Sequence, residues 1–146
     1  MKILIIEDEA GLQKSIKSYL EQEGYLCETA NTYEEASEKI FDYEYDCVLV
    51  DITLPGGSGL DLVDELKEKH SEAGIIIISA KDSLDDRITG LESGSDDYIT
   101  KPFHLSELNA RIKALIRRKY FKGEQEILVG ELKILPLQKK GVCARN

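Results

Sequence analysis

The chain predicts an α/β fold: a five-stranded parallel sheet, strand order 2-1-3-4-5, doubly wound by helices on both faces. Three observations carry that expectation. Runs such as KILII (2–6) and IIIIS (75–79) lack the polar alternation of a half-exposed strand, so both their faces are buried, as in parallel sheets. Stretches with helical apolar spacing separate such runs, which is the pattern of strand–helix–strand units with right-handed crossovers. The run CVLVD (47–51) ends in a carboxylate and then in ITLPGGSG (52–59), a turn that cannot continue the strand.

The elements follow in order. Residues 2–6 form the first strand, with Glu7-Asp8-Glu9 at its carboxyl end. Residues 11–23 are helical, with Leu12, Ile16, Tyr19 and Leu20 on one face. Gly24 ends that helix because it tolerates positive φ. Residues 25–29 form a second, weaker strand. Asn31 or Thr32 caps a helix through Phe41, with Ala36 and Ile40 inward. Residues 46–51 form the third strand and 58–69 a helix with Leu62, Val63 and Leu66 inward. The fourth strand, 75–79, is the most apolar. A helix over 83–93 is built around Leu84, Ile88 and Leu91, and Gly94 stops it. Residues 97–100 form a short fifth strand before Lys101-Pro102. Residues 105–119 form a strongly periodic helix with Leu108, Ile112, Leu115 and Ile116 inward. The weak second and short fifth strands suit the edges; the first, third and fourth suit the centre. The switch point then lies between strands 1 and 3, where open α/β sheets bind ligands at the carboxyl ends of their strands.

A length of 146 residues with 42% hydrophobic content suits one domain plus a short remainder. Nineteen basic against 28 acidic residues give a net charge of -9. From Tyr120 onward there are five basic and three acidic residues, so the first 119 carry 14 − 25 = −11. So acidic a domain does not hold nucleic acid by charge alone; it suits a divalent cation or a basic partner. Residues 1–119 read as the domain. Residues 120–146 read as a linker with strand-like runs at 126–129 and 132–135, too short for a core of their own. Cys27, Cys47 and Cys143 show no CxxC spacing; the first two read as buried free thiols, which fits a reducing cytoplasm. With no signal-peptide pattern and no apolar run near 20 residues, the expectation is a soluble cytoplasmic protein away from membranes.

The strand ends carry the chemistry. Asp8 and Asp51, with Glu7 nearby, meet in one crevice. Alone, Glu7-Asp8-Glu9 reads as a solvated acidic turn. Beside Asp51, the repulsion raises at least one pKa, and a hard divalent cation such as Mg²⁺ relieves it. The fourth strand ends in Ser79-Ala80, offering a hydroxyl and a free N–H. The fifth ends in Lys101-Pro102, where Pro102 restricts Lys101 to extended geometry and aims its ammonium over the crevice. Singly, Ser79 is a turn former and Lys101 a surface lysine. Together with a cation these groups cradle a tetrahedral phosphoryl group, whose transfer needs positioning and neutralised charge. A carboxylate such as Asp51 is an adequate nucleophile for it.

Four stretches carry a family resemblance: KILIIEDE, VLVDITLPGGSGLDL, IISAKD and GLESGSDDYITKPFHLSELNARIKALIRR. Over residues 1 to about 119 the chain resembles the receiver domain of bacterial two-component response regulators, which have the flavodoxin-like fold. The resemblance implies that Asp51 is the phosphoacceptor, served by a sensor histidine kinase, in a protein that is not an enzyme beyond its own phosphorylation and dephosphorylation. It implies Mg²⁺ on Asp8, Asp51 and the Thr53 carbonyl, with Glu7 behind them. It makes Ser79 the switch hydroxyl, Lys101 the phosphate-binding lysine and Tyr98 the switch aromatic, which turns inward when phosphorylation draws Ser79 toward Asp51. The last stretch resembles the OmpR/PhoB-type subclass, whose output is a winged-helix DNA-binding domain. In that subclass the face of helix 4, strand 5 and helix 5 forms a homodimer through crossed ion pairs. The matching positions are Arg87 with Glu107, Asp97 with Arg111, and Asp96 with Arg118. The run EQEILVGELKILPLQKK resembles the start of the winged-helix domain and then stops. The expectation is a truncated regulator that meets DNA only through the missing output domain.

Three other readings are weaker. An FMN carrier of the same topology needs a hydroxyl- and Gly-rich phosphate loop where Glu7-Asp8-Glu9 stand. A haloacid-dehalogenase-like phosphatase needs a second Asp where Thr53 stands. An interaction module that is never phosphorylated has no use for the set Asp8, Asp51, Ser79 and Lys101.

Overall fold

A strand with no polar face has to be covered twice, and the computed structural model shows how. It describes residues 1–81 and 84–131, with side chains to residue 119. Strands β1 (Lys2–Ile6), β2 (Leu26–Ala30), β3 (Cys47–Asp51), β4 (Gly74–Ser79) and β5 (Asp97–Thr100) are all parallel, in the order β2-β1-β3-β4-β5. This is the flavodoxin-like order expected from the sequence. Helices α1 (Ala10–Gln22), α2 (Tyr33–Asp42), α3 (Gly59–Glu68), α4 (Leu84–Glu92) and α5 (Leu105–Glu131) make the crossovers and the carboxyl-terminal cover.

The period of two along each strand sorts the core into two layers. Leu4, Ile6, Val48, Val50, Ile75 and Ile77 face α2 and α3, against Ala36, Ile40, Leu62, Val63 and Leu66. Ile3, Ile5, Leu49, Ile76, Ile78 and Ile99 face α1 and α5, against Ile16, Leu20, Leu108, Ile112 and Leu115. The β1–β3 register pairs Ile6 with Val50, so the residues that follow, Glu7-Asp8 and Asp51, leave the sheet at the same rim.

Local signals hold. Thr32, not Asn31, caps α2: its Oγ1 accepts from Glu35 N–H at 3.1 Å, while the Glu35 carboxylate accepts from Asn31 N–H at 2.8 Å. Gly24 (φ +98°) and Gly94 (φ +111°) follow α1 and α4 in the left-handed region. Gly59 opens α3 because a Cβ there would lie 2.2 Å from the Asp51 carbonyl oxygen.

Three features depart from the sequence reading. A two-residue antiparallel ladder, Thr53–Leu54 with Gly57–Ser58, closes the turn after β3. In α4, the expected inward residues Leu84, Ile88 and Leu91 are exposed, and Gly90 is the buried position. The ring of Tyr98 takes the space under this helix, and a Cβ at Gly90 would lie 2.6 Å from it, so the helix docks through its glycine and turns its apolar residues out. Finally, α5 runs on to Glu131, through the strand expected at 126–129. Glu124, Gln125, Glu126 and Leu128 are good helix formers, and no Pro intervenes before 136. The strand expected at 132–135 and the rest of the tail lie outside the described residues, as does Ser83.

Candidate functional site

The carboxyl rim of the sheet gathers the predicted side chains. Glu7 is 2% and Asp51 6% exposed, while Asp8 is open to solvent. One oxygen from each lies within 4.8 Å of the others. Lys101 reaches over from the end of β5, after a cis Lys101–Pro102 bond. Its Nζ donates to Asp51 Oδ2 at 2.8 Å and lies 2.9 Å from Glu7 Oε1. The second Asp51 oxygen, Oδ1, accepts from Thr53 N–H at 3.1 Å, and Glu7 Oε2 accepts from Glu9 N–H at 3.1 Å.

The electrostatics follow from burial. Desolvation pushes the Glu7 carboxyl above its ordinary range; Lys101 and the Glu9 amide pull it back, and the Asp51 charge adds to the push. Burial also works against the Lys101 ammonium, but the Asp51 and Glu7 carboxylates outweigh it and hold that pKa above the usual lysine value. Three carboxylates thus face one ammonium. Oxygen-only donors, one of them solvent-facing, fit a hard divalent cation that keeps part of its water shell, such as Mg²⁺.

A profile of the response regulator receiver domain matches residues 3–113. The chain belongs to this family. It is 40% identical over 132 residues to the transcriptional regulatory protein PmrA of Pectobacterium parmentieri, a match covering 90% of this chain and 60% of that protein. The receiver domain of Francisella response regulator 1452 superposes with a TM-score of 0.77 at 36% identity, over 80% of this chain and 97% of that one. DrrB of Thermotoga maritima, described as an OmpR/PhoB homologue, gives a TM-score of 0.75 at 30% identity, over 81% of this chain and 53% of that one. The chain spans about 60% of the length of the curated relatives PmrA, BasR and PhoP that it matches.

In this receiver Ser79, 1% exposed, ends β4, and its Oγ accepts from Lys81 N–H at 3.0 Å. Tyr98 is already packed inward at 3% exposure, with its hydroxyl on the Lys81 carbonyl at 2.6 Å. Arg87 lies over the Tyr98 ring, 5.8 Å from its centre, and donates to Thr100 Oγ1. Arg111 pairs within the chain with Asp97 (2.9 and 3.0 Å) and Glu107 (3.1 Å); the Asp97 bond, more than Glu107, raises its pKa against burial. Asp96 Oδ2 accepts from Ile75 N–H at 2.8 Å, and Asp96 and Arg118 line one shallow cavity of about 340 Å³. So Arg111 meets both Asp97 and Glu107 inside one chain, and Arg87 meets β5.

Two site features were missed from sequence. Lys81 serves both Ser79 and Tyr98 through its backbone; only the tendency of a serine hydroxyl to bond the N–H two residues on pointed to it. Glu7, expected to stand behind the metal ligands, pairs directly with Lys101. Among the described residues, no helix is long and apolar enough to cross a membrane.

Proposed function

We propose that Asp51 of this receiver accepts a phosphoryl group from the phosphohistidine of a sensor histidine kinase. The observation that supports this most is the Lys101 ammonium shared between Asp51 and Glu7 beside solvent-facing Asp8. An Asp51 oxygen attacks phosphorus, the new P–O bond forms as the P–N bond breaks, and the imidazole leaves. Mg²⁺ would be held by Asp8, Asp51 and the Thr53 carbonyl, with Glu7 behind, and would neutralise charge on the phosphoryl oxygens. Lys101 transfers part of its bonding from Asp51 to the phosphoryl group, and the Ser79 hydroxyl and neighbouring amides serve the remaining oxygens.

The switch follows from those bonds. Ser79 leaves Lys81 N–H for the phosphoryl group, which moves the loop whose carbonyl holds Tyr98. The face of α4, β5 and α5 responds because Tyr98 sits beneath Gly90. That face exposes Leu84, Ile88 and Leu91 beside the charged set Arg87, Asp96, Asp97, Glu107, Arg111 and Arg118. It suits a homodimer in which intrachain pairs exchange for crossed pairs that set register. DNA binding and control of transcription belong to an output domain in the full-length regulator.

Incubation with Mg²⁺ and acetyl phosphate, read by intact mass and by sizing at low and high salt, tests the whole reading. The expected result is one added phosphate, absent in Asp51→Asn, with a dimer that weakens as ionic strength rises. A wild-type chain that gains no phosphate supports the interaction-only module instead.

A further inference from the structure

We propose that Tyr33 is a positioning residue for the chemistry at Asp51, acting as a latch on the turn that carries Thr53. The inference rests on the phosphoacceptor reading of Asp51. The turn at 52–58 leaves β3 directly from Asp51, and its Thr53 N–H is bonded to Asp51 Oδ1. Its tip is tied to α2. The Tyr33 N–H donates to the Pro55 carbonyl at 3.0 Å. The Tyr33 ring lies against Gly57 so closely that a Cβ there would fall 2.7 Å from the ring. The Tyr33 hydroxyl crosses to α3 and donates to Glu65 Oε2, and Ser37 Oγ donates to Glu65 Oε1 at 2.7 Å.

Both Glu65 oxygens are thus taken up by α2, so the residue that holds the tip of the turn is itself held to α3. Through the ladder pairing Thr53 with Ser58 and Leu54 with Gly57, a fixed tip fixes Thr53. Thr53 is the residue whose amide and carbonyl must hold still while phosphoryl transfer and hydrolysis occur two positions away. The hydrogen bond to Glu65, with that carboxylate's charge and burial behind it, raises the phenol to about 12, so the latch keeps its proton far above neutral pH. With the latch open, the turn lifts and water reaches the acyl phosphate.

The test uses the full chain as Tyr33→Phe, with Tyr45→Phe as the control. Tyr45 makes the same kind of bond, hydroxyl to the Glu28 carboxylate at 2.8 Å, at the far rim of the sheet. Hydrogen–deuterium exchange is followed at the amides of Thr53 and Leu54, and acyl-phosphate decay by intact mass. In Tyr33→Phe, exchange at those two amides rises about tenfold, the scale of one lost charge-assisted hydrogen bond, with β1 and β3 unchanged. Decay quickens by about threefold or more, while loading still reaches one phosphate. Tyr45→Phe changes neither. Exchange and decay that stay at wild-type rates in Tyr33→Phe, or that move equally in Tyr45→Phe, overturn the latch. A wild-type chain that takes no phosphate overturns the phosphoacceptor reading and the latch's part in that chemistry, and the exchange arm still reports whether Tyr33 holds the turn.

Discussion

The two rims of the sheet use the same kinds of side chain to opposite effect. At the amino rim Lys2 Nζ pairs with Glu28 at 3.1 Å, and the Tyr45 hydroxyl donates to the same carboxylate. Lys2 N–H bonds Asp46, and the Lys2 ammonium lies over the Tyr43 and Tyr45 rings. The Tyr45 hydroxyl first, and Lys2 after it, hold Glu28 below the usual carboxylate range. The Lys2–Glu28 pair there is closed on itself, and each partner is about a third exposed. At the carboxyl rim Glu7 and Asp51 are buried and share the Lys101 ammonium, and Asp8 adds a third carboxylate. The amino rim is finished by folding, whereas the carboxyl rim is left with surplus negative charge that only a cation completes.

Removing the lysine at each rim gives the largest contrast. Lys101→Ala strands two buried carboxylates and costs about 2 kcal/mol, less than the ~3–5 of a fully buried pair because Lys101 keeps 23% exposure. Lys2→Ala removes a pair with both partners about a third exposed and costs about 0.5 kcal/mol. Urea unfolding of both variants, without divalent cation, measures the difference. Equal losses would erase the contrast between the rims.

The surplus charge itself is tested next. With Mg²⁺ at ten times its dissociation constant, the wild type gains about 1.4 kcal/mol. Asp8→Asn removes one repelling carboxylate and, without cation, makes the chain more stable by about 1 kcal/mol. The same variant loses the response to Mg²⁺. An Asp8→Asn chain that is less stable than wild type without cation would mean that the carboxyl rim is balanced after all.

How far each rim could be read from sequence follows from which physics decides it. The strands and their order were legible because KILII, CVLVD and IIIIS are apolar on both faces, and only a central place in a parallel sheet satisfies that. The site was legible because Asp51 and Ser79 end strands, Asp8 and Lys101 stand just past strand ends, and parallel strands end together. The orientation of α4 was not legible. Leu84, Ile88 and Leu91 share a helical face, which reads as core, yet the bulk of Tyr98 beneath Gly90 decides which side docks. The extension of α5 over 126–129 was missed because Ile127-Leu128-Val129 suits a strand as well as a helix. Glu7's pairing with Lys101 is a distance between two strand ends, which no local pattern contains.

The smallest expected effect compares the two ends of β3 itself. Asp51 is buried at one end with a lysine beside it; Cys47 is buried at the other, among Ile3, Ile5 and Ile76, and its thiol is pushed up to about 12 by burial, with Asp96 adding to it. The folded state therefore holds the Cys47 proton more tightly than the unfolded chain, whose thiol titrates near 9.0. That contribution is complete below pH 9 and is lost as pH rises from 9 toward 12. At pH 9.5 the loss is just under ~1 kcal/mol. Cys27, raised to about 11 by burial, and Tyr33, raised to about 12, fall off in the same window, so the raw alkaline slope is not diagnostic. The difference between wild type and Cys47→Ala is, because those other groups are common to both chains. Urea unfolding at pH 8 and pH 9.5 should show that difference shrinking at the higher pH. A difference that stays constant would mean the thiolate finds a cation at its end of β3, as the carboxylate does at the other.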